Sequence, residues 1–167
     1  MPTPDELITY LKLQPHPKEG GFFRETYRAA ASLSPGALPG EYGSPRSLST
    51  AIYYLLRPGT FSALHRLKSD EIFHFYLGDP VRMLQLEPDG KGRTLVLGPR
   101  ILQGQHVQVV VPAGTWQGSL LEPGGTFALL GCTVAPGFDY NDYEEGTPAL
   151  ADQYPEFTTL IQALTTH

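Results

Sequence analysis

The residues best suited to chemistry lie between Gly59 and Gly78, in Gly59-Thr-Phe-Ser-Ala-Leu-His65-Arg-Leu67-Lys-Ser-Asp70-Glu71-Ile-Phe-His74-Phe-Tyr-Leu-Gly78. An imidazole titrates near neutrality, so His65 suits general-base work, and a carboxylate beside it can fix which ring nitrogen carries the proton. An inward-pointing Glu71 needs a cation or a donor, because an unpaired buried carboxylate is costly; Arg66, Lys68, His65 or a metal could answer it. His65 and Glu71 are therefore the candidate catalytic pair. His74 stands three residues beyond Glu71, so a regular strand puts it on the opposite face, and only a β-bulge would turn it inward. It is read as a residue of the pocket rim or of a dimer contact.

A second segment, Gly20 to Arg28, divides by strand alternation. Phe23, Glu25 and Tyr27 share one face, and Phe22, Arg24, Thr26 and Arg28 share the other. Glu25 between two aromatics could line a pocket, and the same strand could lie at a dimer edge. Tyr53, Phe73, Phe75 and Trp116 suit a core first; in a pocket, Tyr53 or Trp116 could stack on a sugar or nucleobase face. Pro136-Gly137-Phe138-Asp139 reads as a rim-closing turn with Asp139 as a binding candidate. Cys132 reads as a buried small hydrophobe. His16 and His106 read as structural or exposed, and the acidic run Asp142–Glu145 as a solvated face.

These side chains must be positioned by strands. The 18 Gly and 16 Pro of the 167 residues are scattered between short apolar runs, which is the pattern of many strands joined by turns. Strands are expected at about 21–28, 47–57, 71–77, 81–87, 93–97, 107–111, 115–121 and 126–134, with 29–45 as a long surface loop. Thr3-Pro4-Asp5-Glu6 starts a helix with a capping box, and Leu7, Ile8 and Leu11 continue it toward Pro15, over about 3–14. Phe157, Leu160, Ile161 and Leu164 give a second amphipathic helix over about 155–165. One all-β domain over residues 1–167 is expected, a jelly-roll barrel spanning about 20–140 between two helices. The net charge of −5 argues against general affinity for nucleic acid or anionic membrane. No apolar run reaches membrane-spanning length, the acidic MPTPDEL start does not read as a signal peptide, and one Cys excludes an internal disulfide. A cytoplasmic protein is expected. No Gly-rich loop precedes a helix, so nucleoside-triphosphate chemistry has no support.

Gly59, His65, Glu71 and Gly78 match the spacing of the first cupin motif, with Leu67 in place of its second His. Pro112-x-Gly114 matches the heart of the second motif, with Gln117 where a His is expected. On these residues the chain resembles the cupin superfamily, whose fold is the double-stranded β-helix. His16-Pro17-x-Glu19-Gly20-Gly21, Glu25-Thr-Tyr27-Arg28, Ile52-Tyr53-Tyr54-Leu55-Leu56, Asp70-Glu71-x-x-His74 and Val134-x-Pro136-Gly137-Phe138 narrow the resemblance to the poorly characterised cupin-5 subfamily, over about 16–143. That subfamily is similar in fold to deoxysugar 3,5-epimerases, and its members are generally dimers, so a homodimer is expected.

The resemblance implies a site in the barrel mouth for a polar, carbohydrate-like small molecule. Gln117, Tyr53, Glu25, Tyr27, His74, Trp116 and Asp139 are its candidate binding residues. In metal-binding cupins three His and one Glu hold a divalent transition metal. Here His65, Glu71 and Gln117 are the corresponding set, short of the usual three strong ligands. The leading expectation is therefore a metal-independent isomerase or epimerase with His65 as base and Glu71 and Gln117 on ligand oxygens, requiring no cofactor. In the epimerases an Asp orients the His and a Tyr supplies the acid. Asp139 could fill the first role; Tyr27, Tyr53 and Tyr140 are candidates for the second. The alternatives are a metal-dependent dioxygenase or isomerase and a non-catalytic sensor or carrier.

Overall fold

A computed structural model describes residues 1–40 and 42–165. Among the described residues nine principal strands form: β1 Phe22–Arg28, β2 Thr50–Leu56, β3 Phe61–Arg66, β4 Asp70–Gly78, β5 Val81–Leu86, β6 Gly92–Leu97, β7 Gln108–Val111, β8 Trp116–Leu121 and β9 Ala128–Ala135. One sheet runs in the order β1-β2-β9-β4-β7, extended beyond β1 by Gln14–Pro15. The other runs β3-β8-β5-β6, extended beyond β3 by Glu144–Glu145. All these pairings are antiparallel, and the chain passes repeatedly from one sheet to the other, which is the jelly-roll pattern.

Strand alternation sorts the apolar residues into three layers. Inward residues of both sheets, among them Leu56, Phe73, Met83, Val111, Leu130 and Val134, form the core between the sheets. Their outward neighbours on β3, β5 and β8 (Leu64, Leu84, Leu86 and Trp116) pack under Tyr154, Ile161 and Leu164. On the other sheet Leu55, Leu129 and Phe127 pack under Leu7 of the N-terminal helix. Each terminal helix thus lids one sheet.

The expected capping box is present: Thr3 Oγ1 accepts from the Glu6 amide at 3.3 Å, and the Glu6 carboxylate accepts from the Thr3 amide at 2.8 Å. The helix α1 is shorter than expected, Pro4–Tyr10, because Lys12 takes a positive φ of 55° and the chain turns into the sheet. The C-terminal segment is likewise broken, into α2 Leu150–Gln153, a 3-10 turn at Pro155–Phe157 and α3 Thr158–Ala163. The remainder of the expected 47–57 strand separates at Leu48–Ser49, and Arg46–Ser47 pairs instead with Ser32–Leu33 inside the long loop. Strand β3 was not among the expected strands, although it carries His65. No helix among the described residues is long and apolar enough to cross a membrane.

The run Asp142–Glu145 is not a solvated face throughout. Asp142 is buried and receives both Arg46 Nε and Nη2 at 2.7 Å, while Arg46 is itself buried. This bidentate pair fastens the segment after β9 to the long loop. Glu144, by contrast, makes an exposed pair with Arg66. Replacing Asp142 by Ala removes the bidentate partner of a buried guanidinium and leaves only Asp139 at 3.8 Å among the described carboxylates, so the variant is expected to lose about 3–5 kcal/mol. Urea unfolding measures this, and a loss below about 1 kcal/mol, as for a surface pair, would contradict it.

Candidate functional site

The site is built on an irregularity in β3. Gln117 pairs with His65 and Ser119 with Ser62, so β3 spends one more residue than β8 between the two pairs, a β-bulge at Ala63–Leu64. A Cβ on the facing Gly118 would come within 3.0 Å of the Ser62 carbonyl oxygen and 3.1 Å of Leu64 backbone atoms, so the bulge needs glycine opposite it. The backbone groups freed by the bulge are all used. The Ala63 amide donates to the Glu19 carbonyl at 2.7 Å, and the Ala63 carbonyl accepts from His65 Nδ1 at 2.6 Å. The Leu64 amide donates to the Leu164 carbonyl at 2.9 Å, and the Leu64 carbonyl accepts from the Gly146 amide at 2.7 Å.

A carbonyl only accepts, so His65 Nδ1 carries its proton and Nε2 faces the barrel interior as the second ring nitrogen. Gln117 Nε2 stands 3.0 Å from His65 Nε2 and donates to Glu71 Oε2 at 3.3 Å; the amide thus bridges the other two. Glu19 Oε1 approaches His65 Nε2 to 3.4 Å. Tyr143 stacks on the His65 ring at 4.9 Å between centroids and 19° between planes. Cys132 Sγ lies 3.8 Å from Glu71 Oε1 as a weak donor. His65 and Gln117 have no exposed surface and Glu71 is 4% exposed. The Gln117 Oε1 and the Tyr143 hydroxyl are buried with no hydrogen-bond partner among the described residues.

Glu19 reaches this cluster through the turn His16–Gly21. His16 Nδ1 accepts from the Lys18 and Glu19 amides at 3.2 and 2.9 Å, leaving the proton on Nε2, 3.7 Å from Glu19 Oε1. Gly20 and Gly21 close the turn at φ of 87° and 67°, and a Cβ on Gly21 would meet the Leu55 carbonyl oxygen at 2.9 Å. Glu19 and His16 are buried members of this cluster that the sequence reading did not place in the site. His16-Pro17-x-Glu19-Gly20-Gly21 was the available signal, but its role depends on the long-range bond from Ala63.

The cluster forms one end of a cavity of about 620 Å³. Glu19, Glu71 and His16 line it together with Phe23, Tyr54, Phe73, Phe138 and Tyr140, and Glu25, Arg28 and Asp139 also border it. Burial holds the Glu71 carboxyl up to about 7 against an ordinary 4.5, and His65 only partly offsets this. Burial also raises Glu19, while it lowers His16.

Several expected binding residues lie elsewhere. Trp116 neighbours Gln117 in β8 and so faces outward, beneath the C-terminal helices, with the Arg66 guanidinium 4.5 Å from its ring centroid. Tyr53 alternates with the inward Tyr54 and lies on the outer side of its sheet against Tyr76. His74 also faces out, as regular alternation requires; its ring meets Thr133 Oγ1 at 3.2 Å and stacks on Tyr76. A second bulge between Glu25 and Tyr27 changes the expected alternation: Tyr27 turns away, 55% exposed, and Arg28 joins Glu25 at the cavity. Asp139 does not orient His65; its carboxylate accepts from the Asn141 amide and lies 3.8 Å from Arg46. The Ala63 carbonyl orients the ring instead. Arg66 and Lys68 do not answer Glu71.

The metal set suggested by the cupin resemblance does not fit this arrangement. Leu67 is buried in the inter-sheet core and His74 faces the other way. Among the described residues no three His, Cys, Asp or Glu side chains gather as a metal-holding group.

A model of the family described as Cupin superfamily (DUF985) matches residues 5–145. An uncharacterised protein of Saccharomyces cerevisiae is 31% identical over 155 residues, which cover 86% of this chain and 77% of that protein. A hypothetical protein from Leishmania major shares the structure at a TM-score of 0.88 and 33% identity, covering 99% of this chain and 100% of that one. A protein from Shewanella oneidensis does so at 0.86 and 35% identity, covering 99% of each.

Because Glu71 keeps its proton to about pH 7 when folded and to about 4.5 when unfolded, the folded state binds more protons between those values. The stability it contributes is therefore present at pH 4.5 and lost as pH rises through 7. Glu71→Gln removes this dependence. Wild-type minus variant stability is expected to fall between pH 4.5 and 8 by on the order of 3 kcal/mol. Denaturant unfolding across that range checks it, and a pH-independent difference would contradict it.

Proposed function

The chain belongs to the DUF985 family of the cupin superfamily, and on that footing we propose that it binds a polar small molecule in the barrel mouth and moves a proton on it, as a metal-independent isomerase or epimerase does. The observation that carries this reading is the buried group Glu19–His65–Gln117–Glu71 at the end of an aromatic-walled cavity. Two carboxyls border the space a ligand would occupy, while His65 stands behind them with its tautomer fixed. A carboxyl held near neutrality suits both halves of a proton transfer at neutral pH.

In the proposed reaction a carboxylate of the pair, Glu71 first, takes a proton from a carbon beside a ligand carbonyl. The C–H bond breaks, a carboxyl O–H bond forms, and the electron pair moves into the enolate. Return of a proton, from Glu71 or from Glu19, to the neighbouring carbon or to the other face of the same carbon completes isomerisation or epimerisation. His65, its Nδ1 proton held by the Ala63 carbonyl, orients the Gln117 amide that donates to Glu71. Its own Nε2 is covered by Gln117 and Glu19, so the part it plays is indirect.

The proposal extends to a cytoplasmic homodimer. The outer face of the first sheet, with Tyr27, Tyr76 and Val110 each about half exposed, is the surface offered to the second copy.

The test is solvent exchange. Keto sugars and their amino derivatives are incubated with the protein in D2O, and deuterium at carbon is followed by NMR. Exchange by the wild type, reduced roughly 100-fold or more in Glu71→Gln, is expected. Exchange that survives unchanged in the variant would overturn the assignment.

A further inference from the structure

The cavity end has an unusual charge inventory. Glu19 and Glu71 are both buried, yet among the described residues neither meets an Arg or Lys in an ion pair; Glu19 has the two imidazoles and the Ser62 hydroxyl near it, and Glu71 the Gln117 amide and the Cys132 thiol. His16 is kept neutral by burial. Of the two arginines that border the cavity, Arg28 is paired, while Arg24 is turned toward the outer side of the sheet with its Nε buried and without a hydrogen-bond partner among the described residues. Arg28 is bidentate to Glu25 at 2.8 and 2.9 Å and also donates to the Phe138 carbonyl, and Arg24 lies 5.7 Å from the Tyr53 ring centroid. The same cluster holds a further acceptor, Gln117 Oε1, fully buried without a partner. The walls beside it carry the rings of Phe23, Tyr54, Phe73, Phe138 and Tyr140.

Taking the cavity as the ligand site, as argued above, we propose that its ligand carries a positively charged nitrogen, seated between the Glu19 and Glu71 carboxyls and the aromatic walls. A cation supplies the compensation these carboxyls lack within the chain, and the ring faces attract it through their quadrupoles. An anionic group in the same place would meet two carboxyls, with Arg28 already paired to Glu25 and the Arg24 guanidinium lying by Tyr53 on the outer side of the sheet. A neutral hydroxyl-rich ligand could hydrogen-bond there, but it would leave any ionised carboxyl uncompensated. The amine is thus the chemistry that answers the most features of the site.

Benzylammonium, benzyl alcohol and benzoate, three probes of one shape and different charge, test this by calorimetric titration into the full chain. Benzylammonium is expected to bind roughly tenfold or more tightly than benzyl alcohol, and benzoate most weakly. That preference is expected to fall roughly tenfold in Glu71→Gln and in Glu19→Gln, each checked for an unchanged fold by circular dichroism. Equal or tighter binding of the alcohol or benzoate overturns the inference, as does a preference untouched by both substitutions, or no binding of any probe. The wild-type comparison stands even if neither variant folds. Alcohol binding as tight as that of the amine, with exchange still lost in Glu71→Gln, would sink the cation inference and leave the proton-transfer reading intact.

Discussion

The two-residue bulge at Ala63–Leu64 is the constraint on which the site depends. It uses one backbone unit to hold two parts of the cluster: the Ala63 amide fixes the Glu19 carbonyl, and the Ala63 carbonyl fixes the His65 ring. The Leu64 groups are bonded to the segment at Gly146 and to the end of the C-terminal helix. A deviation from regular pairing would ordinarily leave buried polar groups unanswered. Here the partners come from the N-terminal turn, the His65 side chain and the C-terminal segment, so closure of the chain ends and assembly of the site are one event. Gly118 makes the deviation sterically possible.

Within that frame the dominant energetic term is desolvation of carboxyls. Glu71 lies between sheets whose facing residues are otherwise largely apolar, and its donors are a neutral amide and a thiol. Burial therefore outweighs the favourable influence of His65, and the carboxyl is held near neutrality. Glu19 is shifted in the same direction by the same cause. The Arg46–Asp142 pair shows the contrasting outcome in the same molecule. There, bidentate bonds at 2.7 Å compensate the buried charges directly and serve to anchor a segment. One arrangement fixes structure, and the other leaves protonation free to change.

Much of the fold was legible because turns and alternation are local signals. The capping box at Thr3–Glu6 and most strand positions are found where the residue pattern puts them, while the placing of His65 and Gln117 beside Glu71 came from the cupin resemblance. What escaped was non-local. Strand β3 ends in the polar His65-Arg66, and its pairing with β8 and with Glu144–Glu145 makes it a strand. The bulge after Glu25 exchanges Tyr27 for Arg28, which alternation alone cannot foresee. Trp116 and Tyr53 were plausible stacking residues by type, but each sits one residue from an inward neighbour and therefore faces out. Glu19 stood in a quoted motif, yet only the bond from Ala63 shows that its side chain belongs beside His65.

The claim that this site is a proton-holding carboxyl cluster is tested most directly by carbon-13 NMR of protein labelled at the Glu side-chain carboxyl carbon, with Glu71 and Glu19 assigned through their Gln variants. The account predicts that the Glu71 resonance titrates near pH 7, and that Glu19 also titrates above the ordinary carboxylate range. A Glu71 resonance already that of the ionised form at pH 5 would contradict it.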